Sequence, residues 1–443
     1  MKILFPLYRF NWYRTVAPIV DEALRRGHEV VCLHNESGGN FASNRPETSL
    51  LPRWRHGQPA YEAYRSDQEL WAKVSGTDAD LVVSIDLPLD EWIERAEWTR
   101  RRFAYLTVAT TDTLRRLWSP AMLAATDAVA VRSEWEREAC VLDHTTDYQP
   151  WLERCTAFGR DGERYRPLME PRVGREWPEG VAEEFRAKTI VAGYPLLDGI
   201  SLVDREEVFR RRGLEEDRPV IGLWSTPTLG RGFYGHWDRV FAQPDPLRFR
   251  YRALRGYGLR GLTQPYCNEA TVLRAIRAFA DRHGAQLVVK LRHYQGPGES
   301  LFTLYADAVV TEDSYYPHSA LELAAIADLM IGFHTVGMPE AVYAGAPVLN
   351  LTIPGFRPEL HARTMHFFDG MFSADGVVRR WPAEEVVRRL ADAGLEDFRV
   401  DPGARQAYLR QFAGPEGGNF AARLLDSVES GLPSALSSFP SSP

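Results

Sequence analysis

The stretch that decides the fold is ELAAIADLMIGFHTVGMPEAVYAGAPVLNL, residues 322–351. It predicts a helix, a buried strand at 329–331, a loop and a second helix at 340–343. Gly345 ends that helix, and residues 347–351 form the next strand. The strand is apolar on both faces, as in a parallel sheet covered by helices. Because a strand, a small-residue loop and a helix expose backbone N–H groups to an anion, we expect a nucleotide diphosphate here.

Length and composition set further bounds. With 443 residues the chain is too long for one ordinary core, which predicts two α/β domains. The net charge of -7 argues against nucleic acid as a partner. No run approaches the ~18 apolar residues of a membrane span, and the N-terminus is typical of a strand rather than a signal peptide. The four scattered cysteines predict a reducing cytoplasmic location and no zinc site.

Strands and helices alternate along both halves of the chain. A strand at 2–6, a helix at 15–26 and a strand at 28–33 form a βαβ unit, which requires a parallel sheet. No GxGxxG follows the first strand, so a dinucleotide site is not expected. The predicted organisation is a first domain at 1–192, a linker at 193–218, a second domain at 219–395, C-terminal helices at 396–431 and a disordered tail at 432–443.

Four motifs occur in a fixed order at predicted strand ends or junctions. They are GYPLLD at 193–198, RPVIGLWSTPTLGR at 218–231, LVVKLRH at 287–293, and the loop, acidic helix start and following turn at 334–347. Together they resemble the GT-B nucleotide-sugar transferases, and within that group the CDP-glycerol glycerophosphotransferases of teichoic-acid type. The resemblance implies an α/β fold of two Rossmann-like parallel-sheet domains facing each other across a cleft, with the nucleotide donor held by the second domain.

The same resemblance implies an activity. It is transfer of a glycosyl or glycerophosphoryl unit from a nucleotide-activated donor to a hydroxyl acceptor, a glycan or a lipid-linked molecule, in cell-envelope or surface glycan synthesis. Helix dipoles and basic side chains replace a metal in this fold, so neither metal nor cofactor is expected. Two alternatives stay open. One is a non-hydrolysing UDP-N-acetylglucosamine 2-epimerase-like enzyme. The other is a catalytically inactive GT-B domain that binds a glycan or a partner. It is motivated by residues 109–115, which match the family's W-H-G-x-P-x-K motif but lack its His.

Candidate donor-binding residues follow the predicted strands of the second half. Lys290 and Arg292 point to one side of a strand end, where they can contact phosphate, and His293 points to the other. Glu340 can accept hydrogen bonds from ribose hydroxyls, although an acid also suits the first turn of a helix by itself. The predicted donor-binding set is Thr226, Thr228, Lys290, Arg292, His334, Thr335, Gly337 and Glu340.

The acceptor hydroxyl needs a general base. Asp112, after the strand at 103–108, is the first candidate, although a helix N-cap explains it equally well. Asp86 is the second candidate and His236 the third, and His293 is included as a catalytic residue. On the acceptor side we also place two residues of the aromatic and basic loop at 8–14, namely Arg9 and Trp12, together with Asp86.

One further segment, 246–260, carries five arginines among aromatic residues. It predicts either a lip that brings the acceptor to a membrane surface or a solvated helical face.

Overall fold

The computed structural model describes residues 1–36, 52–85, 98, 101–108, 120–138, 180–225, 269–291, 300–311, 314–333, 335, 337–352 and 371–436. Within these ranges the chain forms two parallel sheets, one of seven strands and one of six. The predicted α/β class with two parallel-sheet halves is therefore confirmed. No helix among these residues is long and apolar enough to cross a membrane.

The first sheet has the spatial order β3-β2-β1-β4-β5-β6-β7, with every neighbouring pair parallel. Its strands are β1 (Lys2–Leu7), β2 (Glu29–Asn35), β3 (Ala60–Tyr64), β4 (Leu81–Ser84), β5 (Ala104–Val108), β6 (Ala128–Val131) and β7 (Thr189–Val191). The helices of this half are α1 (Tyr13–Arg25), α2 (Asp67–Ser75), α3 (Pro120–Ala125) and α4 (Val181–Lys188), and a 3-10 turn, Phe10–Trp12, precedes α1.

The second sheet repeats this topology, with the order β10-β9-β8-β11-β12-β13. Its strands are β8 (Val220–Trp224), β9 (Gln286–Lys290), β10 (Ala308–Val310), β11 (Leu329–Gly332), β12 (Val348–Thr352) and β13 (Val378–Pro382). The remaining helices are α5 (Arg205–Arg212), α6 (Glu269–Arg282), α7 (Ser300–Thr303), α8 (Ser319–Ile326), α9 (Met338–Ala344), α10 (Val386–Asp392), α11 (Pro402–Phe412) and α12 (Phe420–Leu436).

Two edge strands are absent from the sequence prediction. The first three residues of β3, in the sequence AYEAY, are exposed, and β13, VRRWP, carries two arginines. An edge strand pairs with one neighbouring strand only, and its other side is partly exposed to solvent. These two strands therefore lack the continuous apolar run that identifies a central parallel strand. By contrast, the predicted helix at 15–26 is observed as α1, because its apolar residues recur on one face.

The last helix returns to the first half. Ala421, Leu424, Leu425 and Val428 of α12 belong to the hydrophobic core that also contains residues of α1 and β1. This helix extends to Leu436, whereas the sequence analysis begins the tail at 432. The chain thus leaves the first half after β7, forms the second half and then completes the core of the first.

Candidate functional site

Each sheet reverses its strand order once, between β1 and β4 in the first half and between β8 and β11 in the second. In open parallel sheets, ligands bind at such switch points, outside the carboxyl ends of the strands. Trp224 ends β8 and Gly332 ends β11, so these residues mark the switch point of the second sheet. The candidate donor site is therefore the loop that connects β11 to α9.

The indole of Trp224 packs against two glycines, Gly332 and Gly337, on either side of this loop. A Cβ atom added at Gly332 would lie 2.7 Å from Cε3 of Trp224, and one at Gly337 would lie 3.3 Å from Cζ2. Both positions therefore favour glycine because the indole occupies the space of a side chain. The Oγ1 atom of Thr335 accepts a hydrogen bond from the Gly337 N–H at 3.3 Å. Thr335 and Gly337 belong to the predicted donor-binding set, whereas Trp224 does not.

Glu340 lies in the first turn of α9, and only 3% of it is exposed. Its Oε2 atom lies 4.0 Å from Nδ1 of His318, which is longer than a hydrogen bond. Burial raises the pKa of Tyr194, and the charge of Glu340 raises it further. The carboxylate thus faces both α8, which follows His318, and the segment that joins the two halves.

Lys290 is the last residue of β9 and pairs with Trp224 of β8. Its side chain is buried, and Nζ donates a hydrogen bond to the Leu291 carbonyl at 2.7 Å. The backbone N–H of Ser225 donates to the Lys290 carbonyl at 2.9 Å, so this strand end is firmly held. The structure thus brings Lys290 to the same sheet edge as Trp224. Its contact with phosphate stays a prediction.

The acceptor-side residues Arg9 and Trp12 follow β1, at the switch point of the first sheet. The Trp12 N–H donates to the Arg9 carbonyl at 3.0 Å, which closes this segment into a turn. Asn35, at the end of β2, donates from Nδ2 to the Tyr8 carbonyl at 3.2 Å. The turn is therefore tied to the carboxyl edge of the sheet. That these residues contact an acceptor stays a prediction.

The other predicted site residues lie outside the described residues, and so does the segment at 246–260. They are Asp86, Asp112, Thr226, Thr228, His236, Arg292, His293 and His334.

A buried ion pair follows β6 at the junction of the halves. Glu136 Oε2 accepts from the Arg132 N–H at 2.6 Å, and Oε1 accepts from Arg132 Nε at 2.8 Å. The Arg132 guanidinium lies 5.4 Å from the centre of the Tyr194 ring. The sequence predicts a capping box at 133–136, and the Ser133 Oγ does accept from the Glu136 N–H at 3.1 Å. The capping-box pattern thus indicates Glu136, but it does not predict the pairing of Glu136 with Arg132.

Asp198, in the GYPLLD motif, caps the N-terminus of α12, although the two are more than 200 residues apart in sequence. Its two carboxylate oxygens accept the backbone N–H groups of Phe420 at 2.9 Å and Ala421 at 2.8 Å. These N–H groups have no partner within their own helix, so Asp198 acts as the N-cap of α12. Burial raises the pKa of Asp198, and these hydrogen bonds counteract the rise.

Solved structures share this architecture over nearly the whole chain. A variant of the wall teichoic acid polymerase TagF matches with a TM-score of 0.55 and 11% identity, covering 98% of this chain and 90% of that one. A candidate UDP-N-acetylglucosamine 2-epimerase from Listeria monocytogenes matches with a TM-score of 0.52 and 11% identity, covering 97% and 96%. MnaA of S. aureus, in a structure with UDP, matches with a TM-score of 0.50 and 12% identity, covering 99% of both chains.

No protein-family model matches the sequence, and no curated protein matches it either. At 11% and 12% identity the structural likeness shows the fold alone. The strand orders, the two switch points and this likeness agree. The chain therefore adopts the GT-B fold, in which two Rossmann-like domains face each other across a cleft.

Proposed function

We propose that this protein is a transferase that moves a glycosyl or glycerophosphoryl unit from a nucleotide-activated donor to a hydroxyl acceptor. The observation that carries the proposal is Glu340, a carboxylate with 3% exposure beside the switch point of the second sheet. A buried carboxylate is costly unless donors satisfy it, and a pair of ribose hydroxyls supplies two donors. The cell-envelope or surface-glycan context is supported by the likeness to TagF, a wall teichoic acid polymerase.

In this proposal the residues of the second half hold the donor. Glu340 accepts the ribose hydroxyls, while Thr335, Gly337 and Lys290 contact the phosphates, together with Thr226, Thr228, Arg292 and His334. Asp112, or else Asp86, takes the proton of the acceptor hydroxyl, and His293 assists. The acceptor oxygen forms the new bond to carbon or phosphorus as the nucleotide leaves with the electron pair of the broken bond. Neither metal nor cofactor enters this scheme, and we place the reaction in the cytoplasm, with residues 246–260 meeting a lipid-linked acceptor.

The test is a thermal-unfolding screen with UDP-, GDP-, CDP- and CMP-activated donors, followed by calorimetric titration of the best binder. Glu340→Gln should weaken that binding about tenfold or more, because a charge-assisted hydrogen bond is lost. Glu207→Gln is the matched control, since Glu207 occupies the equivalent position of α5 and pairs with Arg210 on the surface. If no donor raises the melting temperature, or if both variants bind equally well, the proposal fails.

An epimerase-like activity is the second candidate. Such chemistry needs several carboxylates and a histidine near one another, and Glu340 with His318 supplies one carboxylate and the histidine at the junction. The likeness to MnaA of S. aureus, in a structure with UDP, also supports it. Incubation with UDP-N-acetylglucosamine without an acceptor separates the candidates. An epimerised product indicates this activity, and an unchanged sugar favours the transferase.

A further inference from the structure

A closed turn at 314–319 leads into α8. The Ser314 Oγ donates to the Pro317 carbonyl at 2.6 Å, and the Ser319 N–H donates to the Ser314 carbonyl at 3.2 Å. In addition, the Ser314 N–H donates to the Ser319 Oγ at 3.1 Å. These bonds join the first and last residues of the turn, so its residues move as one unit.

The apex of this turn enters the first half of the protein. Tyr315 and Tyr316 are 1% and 5% exposed, and both belong to the core cluster that contains residues of α1 and β1. The Tyr316 hydroxyl donates to Asp21 Oδ2 at 3.2 Å, across 295 residues of sequence. The Trp54 ring centre lies 6.4 Å from that of Tyr316. A residue of the second half is thus packed into the core of the first.

Asp21 of α1, the acceptor of this hydrogen bond, is a buried carboxylate held in place by Arg55. It is 1% exposed, and it also accepts from the backbone N–H and from Nε of Arg55, both at 2.9 Å. Burial acts to raise the pKa of Asp21, but the hydrogen bonds and the charge of Arg55 outweigh it, so the pKa lies below its usual value. The acceptor is therefore a carboxylate, and hydrogen bonds to a charged group are stronger than neutral ones.

The other end of the turn reaches the candidate donor site. His318 is the N-cap residue of α8 and is 4% exposed. Its Nδ1 atom lies 4.0 Å from Oε2 of Glu340. Only Pro317 separates it from Tyr316. A displacement of Tyr316 would therefore change the position of His318 relative to Glu340, the carboxylate to which we assign the ribose hydroxyls.

We propose that Tyr316 is a positioning residue for the donor site. Its hydrogen bond with Asp21, the bridging hydrogen bond, fixes the 314–319 turn to the first half and thereby sets the place of His318 beside Glu340. Affinity for the donor then depends on the first half, although no residue of α1 needs to touch the nucleotide. This inference rests on the proposed function, because it assigns the donor to the site that contains Glu340.

The test compares wild type, Tyr316→Phe and Tyr64→Phe. Tyr64 is the matched control, because its buried hydroxyl donates to the Leu7 carbonyl at 3.2 Å within the first half. Hydrogen exchange of the ligand-free protein is measured in peptides that cover 319–326 and 338–344. The dissociation constant for the best donor and the KM and kcat of turnover are measured on the same variants.

Tyr316→Phe should speed exchange in both peptides about tenfold and weaken donor binding about tenfold, since the hydroxyl loses its hydrogen bonds with the charged side chains of Asp21 and Arg55. KM should rise by the same factor while kcat changes little, and Tyr64→Phe should leave all these quantities unchanged. In the Asp21→Ala background, Tyr316→Phe should weaken donor binding less than it does in wild type, because the bridging hydrogen bond is already absent there.

Unchanged exchange at 338–344, or unchanged affinity in Tyr316→Phe when wild type binds a donor, overturns the positioning role. If wild type binds no donor, the proposed function is wrong, and the exchange data alone decide whether Tyr316 positions the Glu340 helix. The failures of the two proposals are therefore distinguishable.

Discussion

The ring of Phe420 lies directly over Gly193: a Cβ atom added to this glycine would be 1.9 Å from Cδ1 of Phe420. Gly193 also has a φ of +98°, a region that side-chain-bearing residues rarely adopt. Gly414 crowds the same point, since its own added Cβ would be 2.4 Å from the Gly193 Cα. Two glycines thus allow the chain to pass between the halves under the first residue of α12.

Gly193→Ala should lower the free energy of unfolding by about 3 kcal/mol or more, because backbone strain and overpacking act together. Gly213→Ala is the control. Gly213 also has a positive φ, +66°, but its added Cβ would meet no atom within 4 Å, so the loss should be about 1 kcal/mol. Urea unfolding of both variants measures the difference, and equal losses would show that contact with Phe420 does not matter.

Asp198→Ala should destabilise the protein by about 1–2 kcal/mol through loss of the N-cap of α12. Asp204→Ala removes a comparable cap, since Asp204 Oδ1 accepts from the Glu207 N–H at 3.1 Å at the start of α5. Both variants should melt earlier, but only Asp198→Ala should speed hydrogen exchange at 420–428. Equal exchange there in the two variants would contradict the assigned role of Asp198.

Glu136→Gln should cost about 3–5 kcal/mol of stability, because it removes the carboxylate charge from a buried ion pair with Arg132. Glu134 pairs with Arg137 nearby, where the glutamate side chain is 66% exposed, and Glu134→Gln should cost less than about 1 kcal/mol. Chemical denaturation provides the measurement. A small loss in Glu136→Gln would mean that water or another group satisfies Arg132.

The stability of the first half should fall in mild acid because of His34. Burial lowers the pKa of this histidine from 6.5 to about 4. The unfolded chain therefore binds a proton below about pH 6.5 that the folded protein does not bind until about pH 4. Titration of the buried His34 therefore has no effect on the free energy of unfolding above about pH 6.5. Below that pH the free energy of unfolding falls, by about 3 kcal/mol in total as the pH approaches 4.

His34→Gln should remove that part of the pH dependence, although it also disturbs the hydrogen bond of 2.5 Å between Nε2 and the Tyr13 hydroxyl. The quantity to compare is the change in unfolding free energy between pH 7 and pH 5, not the stability at one pH. If wild type and variant change equally, His34 is not the group that titrates.

The sequence predicts the central strands of both halves because they are continuous apolar runs, as at 329–331. It also predicts the loop that carries Thr335 and Gly337 and the helix start with Glu340, which follow β11, while Lys290 ends β9 in the same sheet. The edge strands β3 and β13 escape prediction because partial exposure removes the pattern. Long-range hydrogen bonds cannot be predicted for another reason. Asp21 and Tyr316 are 295 residues apart, and the sequence around either residue does not indicate its partner.

The path of α12 has a consequence for synthesis of this protein. Residues of this helix up to Val428 fill the core beneath α1 and β1, so the first half lacks part of its interior until they have left the ribosome. Nascent chains normally fold from the N-terminal domain onward, but here the core of the first half is complete only after α12 has been synthesised. A fragment ending at residue 192 should therefore aggregate when expressed alone, and co-expression with a peptide covering α12 should rescue its solubility.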